Sequence, residues 1–400
     1  MDKKSIRQKN HPFDEITVNN LIAAGSNKWT QRPHKLAAFV AEMDFGTAPA
    51  IEKAMREVSD KSLWGYLPPG VLREMRDATS EFLQARYSWA LAADQIFAVA
   101  DVLAAFETAL DLFSPPDRAI ILPTPGYMSF FTRSRLRGRK IIQVPMLRDS
   151  DQRLVMDLDG IGSAFDKGGH MLILCNPHNP TGRVYSESEL RSLSELVENK
   201  GGIVFSDEIH APIVFEDHRH IPYASLSEAT ARHTISATSA SKAWNIPGLK
   251  CAQILVSNEN HLARLEQLSS VLSHGASTPG VIANTVAYRE GAPWLENVLK
   301  YIDQNRSLLC QLIDQQLPGM TLDKPEGTYI TWLNTAGLPK VKGDSSWANF
   351  FIEEAGVALT DGALCGEAGK DHLRLIIATP KHVLEKIITK MSAAIRLKGL

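Results

Sequence analysis

Six short apolar runs between residues 95 and 260 constrain the fold more than any other feature of this chain. They are QIFAVAD, AIILPTPGY, MLILCNPHNPTG, GIVFSDEIH, HTISATSASK and CAQILVS. Most are rich in Val, Ile and Leu without alternation, HTISATSASK being built of small residues around Ile235, and each stops at small, polar or turn-forming residues. A strand that is apolar on both sides must be covered on both sides, so the runs predict a mostly parallel sheet between helices. Intervening segments can supply those helices. SESELRSLSELVENKGG opens with the Ser186/Glu189 spacing of a capping box and stops at Gly201.

The texture changes after about residue 285. WLENVLKYIDQNRSLLCQLIDQQL has helical spacing, and EGTYITWLN alternates as a strand. WANFFIEEAG reads as a helix ending at Gly356, and HLRLIIA as a strand before the helix PKHVLEKIITKMSAAIRL. The predicted organisation is an N-terminal arm over 1–45, a large α/β domain over 46–285 and a smaller α+β domain over 286–400. The arm is expected to join the smaller domain.

The 400 residues are 44% apolar and 22% charged, ample material for a large core. Lys and Arg (43) nearly balance Asp and Glu (45), which leaves no basic field to draw nucleic acid or an anionic membrane. Cys175, Cys251, Cys310 and Cys365 lie far apart without metal-ligand spacing, so they read as free thiols in a reducing, cytoplasmic compartment. MDKKSIRQKN has basic residues but no apolar stretch behind it, unlike a secretory signal, and no run reaches the length of a membrane span.

Open parallel sheets bind ligands beyond the carboxyl ends of their strands. Tyr127, Asn179, Asp207, His210, Ser239 and Lys242 all follow apolar runs closely. In ISATSASKAWN, Lys242 follows a series of small side chains that would let a flat ligand approach. A desolvated lysine has a lowered pKa, and its free amine attacks aldehydes. Such chemistry needs an acid opposite a ring nitrogen, for which Asp207 is the candidate, and a flat surface for stacking, which Tyr127 offers. A phosphate would need hydroxyls, N–H groups and a cation; Ser239 and Lys250 flank Lys242 suitably. Taken singly, each residue has a blander reading. Lys242 and Lys250 suit a solvated surface, Asp207 a helix N-cap, Asn179 a turn, Tyr127 and Tyr66 core packing, Arg374 a salt bridge, and His210 a packed, hydrogen-bonded site.

Together, NPHNPTG, SDEIH, SATSASKAWNIPGLK and HLRL resemble the fold-type I pyridoxal phosphate (PLP) enzymes, the class I/II aminotransferase superfamily, from about residue 35 onward. DEIH, FVAEMDF and GLK narrow the resemblance to the MalY/PatB-type cystathionine β-lyase branch. The resemblance implies that fold and a PLP cofactor. Lys242 would carry it as a Schiff base, Asp207 would pair with the ring nitrogen, Asn179 would donate to the phenolic oxygen, and Tyr127 would stack on the ring. Ser239, Lys250 and the N–H groups of Val102 and Leu103 would hold the phosphate, with Tyr66 arriving from the neighbouring subunit of a homodimer. His210 would stand near the phenolic oxygen, and Arg374 would clamp the substrate carboxylate.

The implied activity is a carbon–sulfur β-lyase cleaving an L-cysteine S-conjugate such as cystathionine to thiol, pyruvate and ammonia. An aminotransferase remains open on the same residues. So do a specialised-metabolism enzyme performing elimination or decarboxylative deamination on a bulky S-conjugate, and a regulatory protein that keeps PLP without turnover. Five departures stand out: Glu42, Asp101, Cys365, His372 and Ile376. Several of them are expected to line the substrate pocket.

Overall fold

A computed structural model describes residues 11–341 and 345–400; the basic N-terminal stretch lies outside the described residues. All six apolar runs form strands of one seven-stranded sheet. Its strands are β1 (Ile96–Val99), β2 (Ala119–Thr124), β3 (Ile141–Pro145), β4 (Gly169–Cys175), β5 (Ile203–Asp207), β6 (Thr234–Thr238) and β7 (Ala252–Leu255). Their spatial order is β1-β7-β6-β5-β4-β2-β3. The pairings from β6 through β3 are parallel, whereas β7 runs against both of its neighbours. The strand without a counterpart among the six runs is β3, IIQVP. It closes one edge, its isoleucines are half-buried and Gln143 is exposed, so it never needed a continuous apolar run.

Successive residues of the central strands serve two different cores. Ile120, Leu122, Met171 and Ile173 pack with Phe106 of α1 (Val102–Phe113) and Phe130 of α2 (Met128–Leu136). Ile121, Leu172, Leu174 and Val204 pack on the other face with Leu190, Leu193 and Val197 of α3 (Glu187–Lys200). This division explains the absence of alternation. The start and stop of α3 follow its sequence signals. Ser186 Oγ accepts from Glu189 N–H (3.3 Å), the Glu189 carboxylate accepts from Ser186 N–H (2.8 Å), and Gly201 leaves the helix at φ 60°.

The C-terminal region builds an antiparallel sheet of β8 (Thr321–Leu322), β9 (Ile330–Asn334), β10 (Thr360–Asp361) and β11 (His372–Ile376), in the order β8-β9-β11-β10. The helices α4 (Ala292–Gln316) and α5 (Lys381–Leu397) bury Leu309, Ile313, Ile387 and Ile388 in the core that also holds Leu333, Leu373 and Leu375. WANFFIEEAG forms a short α-helix over Trp347–Phe350 that widens into a π turn and ends at Gly356, φ 66°. Among the described residues, no helix is long and apolar enough to cross a membrane.

The N-terminal arm ties the two sheets together. Leu36–Ala37 pairs parallel with Val357–Ala358 beside the smaller sheet. Residues 38–47 then cross to the loop after β6, where Asn245 Oδ1 accepts from Met43 N–H (2.9 Å) and Asn245 Nδ2 donates to the carbonyls of Met43 and Gly46 (both 3.0 Å). A buried ion pair fixes this strap: Lys28 Nζ lies 2.8 Å from Asp44 Oδ2, and Trp29 Nε1 donates to Asp44 Oδ1 at 2.8 Å. Lys28 also donates to the Glu42 carbonyl at 3.3 Å. Replacing Lys28 with Met should leave a buried, unpaired carboxylate and cost about 3–5 kcal/mol in chemical denaturation. A loss under about 1 kcal/mol would show that the pair does not hold the strap.

Candidate active site

The carboxyl ends of the strands deliver the expected side chains to one cavity of about 480 Å³. The chain turns there after β1 at Val102 and Leu103, after β2 at Tyr127, after β4 at Asn179, at the end of β5 with Asp207 and His210, and after β6 at Lys242. Lys250 and Arg374 complete the set of lining residues that the sequence singled out. Thus five different strand ends of one sheet, plus one residue of the smaller sheet, converge on a single volume. Ligand sites of α/β sheets form at this edge because helices cover both faces.

Water exclusion sets the charges. Lys242 Nζ donates to the Ala41 carbonyl at 2.9 Å, and burial lowers its pKa to about 8, with Arg374 acting in the same direction. Asp207 is 5% exposed, and burial raises its pKa to about 7, aided by the neighbouring Glu208 charge and opposed by Lys242. Asp207 Oδ1 accepts from Ile209 N–H (3.1 Å), and the Cys175 thiol lies 3.9 Å from Oδ2. Glu208 takes a different environment. It is held by Ser206 Oγ (2.8 Å), Tyr223 N–H (3.1 Å) and His220 Nε2 (3.1 Å), away from the cavity lining. Burial lowers the His210 pKa to about 3, so its ring is neutral; its Nδ1 is buried without a partner among the described residues.

Arg374 is a cation kept from water and held by neutral oxygens. Nη1 donates to Asn179 Oδ1 (3.2 Å), and Nη2 to the Phe39 carbonyl (2.9 Å) and Thr360 Oγ1 (3.4 Å). Among the described residues its Nε has no partner, and burial lowers its pKa. A buried guanidinium without an anionic partner among the described residues retains unused capacity for charge-assisted hydrogen bonds. Thr360 faces it because β10 pairs Thr360 with Arg374, a register no local sequence pattern announces.

The N-terminal end of α1 carries a carboxylate. Asp101 caps the helix through Oδ1 and Ala104 N–H (2.9 Å), while Oδ2 lies 3.0 Å from Lys250 Nζ. The helix N-terminus therefore faces the cavity beside one carboxylate and one ammonium. Ser239 is buried outside the lining. Its hydroxyl donates to the Cys251 carbonyl (2.6 Å) and accepts from the N–H of Ser241, which does line the cavity. Tyr66 is also outside, 91% exposed in the same loop as exposed Trp64.

Of the five departures, only Asp101 lines the cavity, which corrects the expectation that several would. His372 stacks on Trp332 with ring centroids 5.0 Å apart, Ile376 is fully buried and donates its N–H to the Ala38 carbonyl, and Cys365 is buried with its carbonyl on Gly126 N–H. Glu42 uses its backbone to receive Lys28. Sequence reasoning missed Gln31, Met128, Ser241 and Thr360 as lining residues. Ser241, one position before Lys242, was the most accessible signal among them.

Comparison with known proteins gives the same direction. The pattern described as Aminotransferase class I and II matches residues 40–391. The chain is 34% identical to the cystathionine β-lyase of Corynebacterium glutamicum over 92% of its own length and 96% of the relative's. It is 29% identical to cystathionine β-lyase PatB of Bacillus subtilis, over 90% and 92% respectively. The PLP-bound C–S lyase of Staphylococcus hominis matches with a TM-score of 0.88 and 28% identity, over 96% of this chain and 98% of the other.

Asp207 provides a pH test on the unliganded protein. Its pKa of about 7 exceeds the usual unfolded carboxylate value of about 3.9, so its contribution to stability is full below pH 4 and is lost as pH rises through 7. Relative to the parent, Asp207→Asn should gain on the order of 2–4 kcal/mol between pH 5 and pH 8 in denaturant titrations. A difference that does not change with pH would refute the raised pKa.

Proposed function

Because the chain belongs to the class I and II aminotransferase family, and within it to the cystathionine β-lyase branch, we propose that the cavity takes pyridoxal 5′-phosphate and serves a carbon–sulfur β-lyase. The carrying observation is that one cavity holds a desolvated lysine, a carboxyl near pKa 7 and a buried guanidinium with only neutral partners. The residues fit the cofactor. Lys242 would bond its aldehyde, Asp207 would face the ring nitrogen, Asn179 the phenolic oxygen, and Tyr127 would supply a stacking face. The N–H groups of Val102 and Leu103, with Lys250, would receive the phosphate. Ser239 would act through the turn it caps, since its hydroxyl is already committed to Cys251. The orphaned Nδ1 of His210 leaves that ring one atom with which to meet a ligand.

When bound, the cofactor joins amines through its aldehyde and draws electron density from the substrate's α-carbon into its ring. The protein supplies the proton handling and the geometry. Asp207 favours a protonated ring nitrogen, because a carboxyl enclosed without water gains most from a cationic partner. Arg374 would take the substrate carboxylate in bidentate fashion, and fixing that group determines which bond at the α-carbon faces Lys242. Lys242, with a pKa near 8, carries enough neutral amine at physiological pH to remove the α-proton and can return a proton to the departing sulfur. The substrate is an L-cysteine S-conjugate of the cystathionine type, and elimination followed by uptake of one water gives a thiol, pyruvate and ammonia.

Two further features favour this reading. Tyr66 and Trp64 present large aromatic surface to solvent (91% and 62% exposed), as a homodimer in which Tyr66 reaches the partner's phosphate site requires. The four unpaired cysteines suit a reducing, cytoplasmic setting.

Incubation with cystathionine and bulkier S-conjugates should release thiol and pyruvate together. Pyridoxamine phosphate formed in stoichiometric amount, with turnover that requires a keto acid, would establish an aminotransferase instead; no product from any amino acid would favour a regulatory role. Lys242→Ala should retain some cofactor noncovalently and lose several orders of magnitude in turnover, and full activity would refute the assignment. Asp101→Ser removes a carboxylate from the phosphate cradle, so cofactor affinity should rise about tenfold or more in an equilibrium titration. Unchanged or weaker binding would show that Asp101 acts by holding Lys250 in place.

A further inference from the structure

The hydrogen bond of Lys242 ends on an acceptor that it shares. The Ala41 carbonyl receives Lys242 Nζ at 2.9 Å and the Tyr329 hydroxyl at 3.1 Å. Tyr329 belongs to the EGTYITWLN segment of the smaller sheet, 288 positions from Ala41, and its side chain is fully buried. Its phenol stays protonated because burial raises its pKa, so it acts toward the carbonyl only as a donor. A carbonyl oxygen has two lone pairs, and Tyr329 takes one of them permanently.

We infer that Tyr329 is a positioning residue that keeps Lys242 ready to act as a base: by donating to the second lone pair of the Ala41 carbonyl, it weakens the acceptor on which Lys242 Nζ rests and so lessens the stabilisation a lysine ammonium would draw from it. This rests on the reading of Lys242 as the base. A neutral amine presents two weak donors and one lone pair, whereas an ammonium presents three strong donors and gains more from every free acceptor lone pair. The other groups acting on the amine come from separate elements. Arg374 on β11 disfavours the charged form, while Glu42 on the strap and Asp207 on β5 favour it. His210, whose ring stands edge-on to Tyr329 with centroids 5.8 Å apart, is neutral and contributes no charge. Burial, with Arg374, already outweighs the two carboxylates. Tyr329 acts in the same direction as burial without adding a charge to the cavity.

Tyr329→Phe retains the ring that packs on His210 and deletes only the donor. In the holoenzyme, the acidic limb of the kcat profile should move to higher pH by about half to one unit, with KM for the S-conjugate little changed because Arg374 keeps its own partners. In the cofactor-free chain, acetic anhydride labelling of Lys242, read by peptide mass across a pH series, should show the same upward shift. Thermal unfolding of the variant identifies any loss of fold separately. A labelling curve that stays in place, or moves to lower pH, would overturn the inference. If Tyr329→Phe leaves both curves unmoved while Lys242→Ala is inactive, the function stands and this role for Tyr329 falls. If Lys242→Ala remains active, the assigned function falls first.

Discussion

Water exclusion at the carboxyl edge of the seven-stranded sheet is the constraint on which the rest of the structure depends. The two apolar cores force the helices onto both faces, so the strand ends are where polar side chains can converge without solvent. Burial moves each group there in the direction of its uncharged form. It brings Lys242 to about 8, lifts Asp207 to about 7 and takes His210 to about 3. The identity of the amino acids matters less than this shared environment. A solvated lysine and a solvated aspartate at the same spacing would be an inert surface pair.

The strap from Leu36 to Thr47 converts that environment into geometry. Phe39 and Ala41, two residues apart, offer their carbonyls to Arg374 and Lys242 respectively. One short stretch of backbone therefore sets the separation of the proposed carboxylate clamp and the amine. Its other contacts, with Asn245 on one side and the Lys28–Asp44 pair on the other, hold it against both sheets. Thr360 adds a hydroxyl to the Phe39 carbonyl at 3.1 Å, so the Phe39 and Ala41 carbonyls each receive two side-chain donors.

Much of this was legible in the sequence, for a definable reason. Buried strands announce themselves by apolar content, and the residues that follow them are placed by topology, so Asp207, Asn179, Tyr127 and Lys242 could be located without coordinates. Ser239 and Ser241 could not be told apart, since both are small hydroxyls in one turn; the hydrogen bond from Ser239 to Cys251 decides which of them faces the cavity. The edge strand β3 escaped notice because its exposure removes the apolar signature. Ala41 was invisible for a deeper reason: it contributes a carbonyl, which every residue possesses. Thr360 reaches the cavity through its strand pairing with Arg374, and Tyr329 reaches the Ala41 carbonyl by a hydrogen bond across 288 positions; local spacing announces neither.

The reversed direction of β7 has a geometric consequence. A parallel strand after β6 would have required the chain to cross to the far edge of the sheet before returning. Because β7 starts where β6 stops, the connecting turn from Ser239 to Cys251 stays at the carboxyl ends of the parallel strands and carries both Lys242 and Lys250. A lengthened or shortened turn would therefore respace the two lysines while leaving the strands on either side in register.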